Sequence, residues 1–258
     1  MNRLTSVLAA LAACAASAAF AKEAVYATPD QVHAVNILAS PAAEGSEQDN
    51  AELEQLHKIE AARTEAQVAA AKFDDEHEDF FVFATVLGSE FKAENLPLTA
   101  ALGNNISADE SANVLTVREY FHRRHPYAVD ASLKPACKTK TKDDSYPSSH
   151  TLRGWLLGLT LVEIVPEKRD EILARAQEYG HNRLVCGVHH ESDVAASRLL
   201  AYAIHAVELQ NPKYRADLAA ARDEIRARLG LADAKEGSAA KEPPAPASQD
   251  AAAATRRE

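Results

Sequence analysis

The chain is short of several things, and each shortage excludes a class of protein. Among 258 residues it holds three cysteines, and its 28 Lys and Arg are outnumbered by 38 Asp and Glu, for a formal net charge of −10. An acidic balance argues against nucleic acid as the main partner. Beyond the N-terminus no stretch reaches the ~18 uninterrupted apolar residues of a membrane span. The apolar run from Trp155 to Val165 is too short and suits a buried core helix. No period-two alternation marks a strand and no internal repeat is present, which leaves an all-α single domain. From Ala234 onward the Lys/Glu/Pro/Ala/Ser tail lacks bulky apolar residues and is expected to be disordered.

What is there begins with a leader. Arg3, a mostly Ala and Leu stretch from Leu4 to Phe20, and the ending Ala19-Phe20-Ala21 read as a secretory signal cleaved after Ala21. Leu11-Ala12-Ala13-Cys14 also resembles a lipoprotein processing box, which would lipidate Cys14. The expected location is therefore periplasmic or secreted, with a tether at Cys14 as the alternative. Once the signal is removed, Cys137 and Cys186 remain. In an oxidising compartment they form a candidate disulfide, the other reading being two buried thiols.

The rest divides simply. Residues 22–48 read as an irregular lead-in, 49–230 as the helical domain and 231–258 as the tail. Within the domain, Asn50 to Lys72 reads as one Ala/Glu-rich amphipathic helix and Glu78 to Phe91 as a second. Ser107-Ala-Asp-Glu110 has the capping-box pattern before a helix that ends in a basic cluster. Pro166 is expected to end one helix and begin another that stops at Gly180. Helices from about Glu191 to Leu209 and from Pro212 to Leu229 complete the domain.

Three stretches carry chemistry. His189 and Asp193 are four apart, so on a helix Asp193 can accept a hydrogen bond from the ring, fix its tautomer and leave the other nitrogen as nucleophile. Arg183, across a turn containing Cys186-Gly187, can clamp a phosphate. Read alone, this stretch equally suits a helix start with a surface arginine. Pro147-Ser148-Ser149-His150 opens the apolar helix, where free backbone N–H groups and the helix dipole favour an anion; Ser148 or Ser149 can equally be a plain N-cap. Arg118 through His125-Pro126 gathers cations at a helix end.

Taken together, the order and spacing resemble the signature of the type 2 phosphatidic acid phosphatase superfamily, which includes vanadium haloperoxidases: K-x6-R-P, P-S-G-H and S-R-x5-H-x3-D. Ser145-Tyr-Pro-Ser-Ser-His-Thr151 and Cys186-Gly-Val-His-His-Glu-Ser-Asp-Val194 are similar to stretches of bacterial class A non-specific acid phosphatases. The likeness runs from about Pro41 to about Leu229. It implies a helical bundle of that kind, small phosphomonoester substrates, no cofactor and no metal. It leaves a homo-oligomer open.

The resemblance also implies roles. His189 attacks phosphorus, His150 protonates the leaving group and later deprotonates water, and Asp193 orients His189. Arg118, His125, Ser148, Ser149 and Arg183 bind the phosphoryl oxygens. Four positions depart from the pattern. Arg118 stands for Lys, His125 for Arg, Ser149 for Gly and Asn182 for Ser. His125 is then a titratable cation that would join the clamp only when protonated, and Ser149 would be strained if its position needs positive φ. Two other readings share the scaffold: a vanadate-dependent haloperoxidase-like enzyme, and a weakened phosphate- or phospholipid-binding protein. A zinc site from His150, His189 and His190 matches no common ligand spacing.

Overall fold

A computed structural model of the chain describes residues 23–139 and 141–231; the leader, Cys14 and nearly all of the tail lie outside them. The described residues are all-α, with no strand among them. The main helices are α1 (Glu47–Ala62), α2 (Glu65–Glu76), α3 (Pro97–Phe121), α4 (Ser149–Ile164), α5 (Arg169–Cys186), α6 (Glu191–Glu208) and α7 (Pro212–Leu229).

Helix α4 is the axis of the bundle. It is apolar round most of its surface apart from Arg153 and Glu163, with Leu152, Trp155, Leu156, Leu157, Leu161 and Ile164 buried, which is the pattern of a helix enclosed by others. It packs against α3, α5, α6 and α7. Each fully buried side chain of this size contributes about 1.5–3 kcal/mol. The seam with α5 is closed by small residues. A Cβ at Gly154 would lie 2.5 Å from the Tyr179 ring, and one at Gly180 would lie 2.9 Å from Thr151 Cγ2. A side chain of the facing helix therefore lies against the backbone at each position, in space that only glycine leaves open.

That seam explains why Gly180 is not the stop it resembles: it is a contact point, and α5 runs on through it to Cys186. The helix ends at Gly187, whose φ of 73° is the left-handed C-cap. Three other helix boundaries also differ from the sequence reading. The stretch 50–72 is two helices, because Thr64 and Gln67 form a capping box that starts α2 afresh after Arg63. Residues 78–91 make a 3₁₀ turn (Phe80–Phe83) and one helical turn (Ala84–Leu87) in place of a helix. Asp79 caps the first, and Gly88 at φ 95° ends the second. Ser107 lies inside α3, which begins ten residues earlier with Pro97 at its first position, so Ser107-x-x-Glu110 caps nothing.

The lead-in is irregular apart from single turns at Pro29–Val32 and Ala34–Ile37. It is tied down at Asp109 of α3, whose carboxylate accepts the backbone N–H groups of Val25, Tyr26 and Ala27.

Candidate active site

The three motifs converge at the N-terminal end of α4. His189 lies in the short link between α5 and α6, one residue outside helix. Its Nδ1 donates to the Ser145 carbonyl at 2.9 Å, with Asp193 Oδ2 further off at 3.4 Å. The residue is 4 % exposed. The Ser145 carbonyl, which spacing did not suggest, is thus the nearer orienter. The tautomer is the one anticipated: the proton is on Nδ1, and Nε2 has no hydrogen-bond partner among the described residues. Burial lowers the pKa of His189 to about 3, against the hydrogen bond to Asp193 that raises it. The free ring is therefore a neutral base at mildly acid pH.

Asp193 is fully buried and held on every side. It accepts from Ser145 Oγ at 2.6 Å, from the His190 backbone N–H at 2.8 Å and from Arg123 Nη1 at 2.7 Å. Burial pushes its pKa up, but the hydrogen bonds from His189 and His190 and the Arg123 charge outweigh it and keep the group ionised. Arg123 in turn pairs with Glu52 at 2.7 Å and Asp49 at 3.6 Å on α1. Only its membership of a basic cluster marked it in the sequence.

His150, in the first turn of α4, points Nε2 at Glu78 Oε1, 3.3 Å away, with the Asp75 carbonyl at 3.4 Å. Glu78 also pairs with Arg153, which reaches buried Glu110. Burial first, then the charges of Arg183 and Arg153, hold His150 well below its usual pKa.

Ser148 is the N-cap of α4. Its Oγ accepts from Thr151 N at 3.4 Å and Thr151 Oγ1 at 3.0 Å, so its own proton is free to donate. Ser149 is the first helical residue, and among the described residues the non-glycine residues with positive φ are His33 and His122. Serine therefore stands in place of glycine without backbone strain.

The cations complete the picture. Arg183 donates Nη1 to Asp75 Oδ1 at 2.8 Å. Arg118 makes longer bonds, 3.3 Å to Asp144 Oδ2 and 3.3 Å to the Pro147 carbonyl. The Nε of each is buried without a hydrogen-bond partner. A buried guanidinium N–H left unpaired is costly, and two of them flanking the histidines suit an oxyanion. His125 is buried, with Nδ1 2.7 Å from the Val188 carbonyl and Nε2 3.0 Å from Asp144 Oδ1.

Asn182 faces away from the histidines and donates to Asp74, which also pairs with Arg175. Cys137 and Cys186 form a disulfide, with Cα atoms 5.1 Å apart. The metal-type ligand group among the described residues is Asp75 with these two cysteines, whose sulfurs are bonded to each other. His150, His189 and His190 do not converge as a ligand set; His190 Nδ1 is turned to Asp193, 3.3 Å away.

An all-helical bundle with a histidine and arginine site at the start of its central helix defines the class. Residues 99–217 match the model of the PAP2 superfamily. The chain is similar to the non-specific acid phosphatase of Providencia stuartii, 39 % identical over 43 % of this chain and 46 % of the relative. It is also similar to the non-specific acid phosphatase of Salmonella typhimurium, 32 % identical over 58 % and 62 %. A third relative is the acid phosphatase of Zymomonas mobilis subsp. mobilis, 32 % identical over 55 % of each chain. The matched stretch spans less than two thirds of each relative's length.

Proposed function

We propose that the chain is a phosphatase that hydrolyses phosphate monoesters through a phosphohistidine at His189, without a metal ion. One observation carries this reading: His189 is pinned at Nδ1 by the Ser145 carbonyl and keeps Nε2 free, in a site whose Arg118 and Arg183 each have a buried Nε without a hydrogen-bond partner. The Nε2 lone pair attacks phosphorus in line with the leaving oxygen, and the P–O bond to the alcohol breaks. His150 passes a proton to the departing alkoxide, then takes one from the water that cleaves the P–N bond. Inorganic phosphate leaves and His189 is regenerated. Arg118, Arg183, the Ser148 hydroxyl and the N–H groups opening α4 hold the equatorial oxygens as charge spreads over them. Export to the periplasm or beyond fits the leader-like first residues and the Cys137–Cys186 disulfide.

The test is hydrolysis of a chromogenic phosphate monoester between about pH 4 and 8, with EDTA present and His189→Ala as control. Turnover that survives the chelator and vanishes in the variant, with acid-labile phosphate trapped on His189, is the expected result. Turnover retained by the variant, or lost to the chelator, would overturn it.

A further inference from the structure

Asp144 stands one residue before the Ser145–His150 motif and takes both residues of the upstream cation pair. Its Oδ1 faces His125 Nε2 at 3.0 Å and its Oδ2 faces Arg118 Nη1 at 3.3 Å. The other ring nitrogen of His125 faces the Val188 carbonyl. A carbonyl and a carboxylate only accept, so both ring nitrogens of His125 already face acceptors of the protein. It then has no N–H left for a phosphoryl oxygen. What His125 brings to the clamp is a held carboxylate.

The same pairing recurs around the site. Asp75 sits on Arg183, Glu78 on His150 and Arg153, and Glu110 beneath Arg153. Each arginine facing the histidines already has an acidic partner.

We propose that Asp144 is a specificity-determining residue, whose charge makes the site select singly charged phosphoryl groups over doubly charged ones. The phosphate-anion class rests on the phosphatase reading above; the charge selection rests on Asp144. A second negative charge delivered to Arg118 meets the carboxylate already there, and like charges at such range oppose one another.

Asp144 is a fixed charge over the working range. The hydrogen bond from His125, with those of Thr141 and the charge of Arg118, holds its carboxyl well below the usual range despite burial. The groups facing it are Arg118 from α3, backed by Glu110, and His125 from the segment after α3. On the far side of His125 lie Tyr127, stacked on its ring, and His189, 5.0 Å between centroids, with Asp193 behind.

A chemical advantage accompanies the selection. A monoester entering as its monoanion carries a proton on a phosphoryl oxygen. It brings that proton to a site where burial and Arg183 keep His150 neutral.

Calorimetric titration of the full chain with inorganic phosphate, and with dimethyl phosphate as a permanently singly charged probe, tests this at about pH 5 and about pH 8. Phosphate affinity is expected to fall about tenfold or more between the two, while dimethyl phosphate changes less than about twofold. The dimethyl ester cancels any titration of the protein itself. Asp144→Asn should recover most of the phosphate affinity at the higher pH. Equal phosphate affinity at both values, no binding of the dimethyl ester, or an unaltered pH dependence in a folded Asp144→Asn chain would each overturn the proposal. The wild-type comparison decides it if the variant does not fold. Binding needs no turnover, so the two readings fail separately. A chain that binds this way but leaves monoesters intact refutes only the phosphatase. One that hydrolyses them with a KM constant over the same range refutes only the selection.

Discussion

The two sides of the site are built to different standards. On the nucleophile side, Asp193 is fully buried, accepts from Ser145, His190 and Arg123 at 2.6–2.8 Å, and anchors to α1 through Arg123. On the clamp side, Arg118 is a fifth exposed, its bonds are 3.3 Å long, and its Nε is unpaired. The difference teaches which parts of such a site must be in place beforehand. In-line attack depends on one ring held in one tautomer and direction, which demands a tight, buried network. Arg118 can complete its hydrogen bonds with a bound anion, so long and partial bonds to its own partners suffice there, whereas Arg183, the other cation, is already held at 2.8 Å by Asp75.

The largest expected effect comes from breaking the tight side. Asp193→Ala leaves Arg123, Ser145 Oγ and the His190 N–H short of an acceptor in the interior. It should cost about 3–5 kcal/mol in urea unfolding and reduce kcat by on the order of 10³ or more. A folded variant that loses stability and keeps kcat would mean that the Ser145 carbonyl alone aims His189.

Next comes the loose side. Arg118→Ala should raise KM for a monoester about tenfold while changing unfolding free energy by about 1 kcal/mol or less. A stability loss equal to that of Asp193→Ala would erase the distinction between the two sides.

A third test touches neither side's contacts and lies in the pH dependence of stability. His189 has a folded pKa of about 3 against an ordinary 6.5. The unfolded chain therefore takes up a proton first as pH falls through that window, and stability declines with acid from 6.5 downward. Asp193, depressed below 3.8, adds stability that is lost only as pH falls below that value. Melting temperature followed from pH 7 down to about 4 should fall, and His189→Gln should flatten the slope.

The legible part of this molecule was its chemistry-bearing motifs and the apolar helix between them. Trp155 to Ile164 announces a core helix by hydrophobicity, and Gly187 followed by His189 announces a helix end beside a functional group. The carboxylates were not legible. Asp75 and Glu78 stand at the end of one helix reading and the start of the next, and Asp144 in a loop, so only the closing of α2 and the 141–147 loop over α4 sets them on Arg183, His150 and His125. Gly180 misleads for a related reason. A glycine that allows two helices to touch and a glycine that ends a helix are the same letter, and the partner surface decides between them. The Thr64–Gln67 capping box is different, since its pattern stands in the sequence and divides the long Ala/Glu stretch.

The glycine seam has a consequence for how this scaffold can diverge. At Gly154 and Gly180 the helix that carries His150 and the helix that leads into His189 interlock, each glycine taking a side chain of the other helix, Tyr179 and Thr151, against its backbone. The placement of His150 relative to His189 therefore depends on four positions, Gly154, Gly180, Tyr179 and Thr151, that have to vary together. Asp75, Glu78 and Asp144 lie outside that seam, on α2 and on connecting segments. Substitutions there can change the charge around His150 and Arg118 one residue at a time, without touching the packing that spaces His150 from His189.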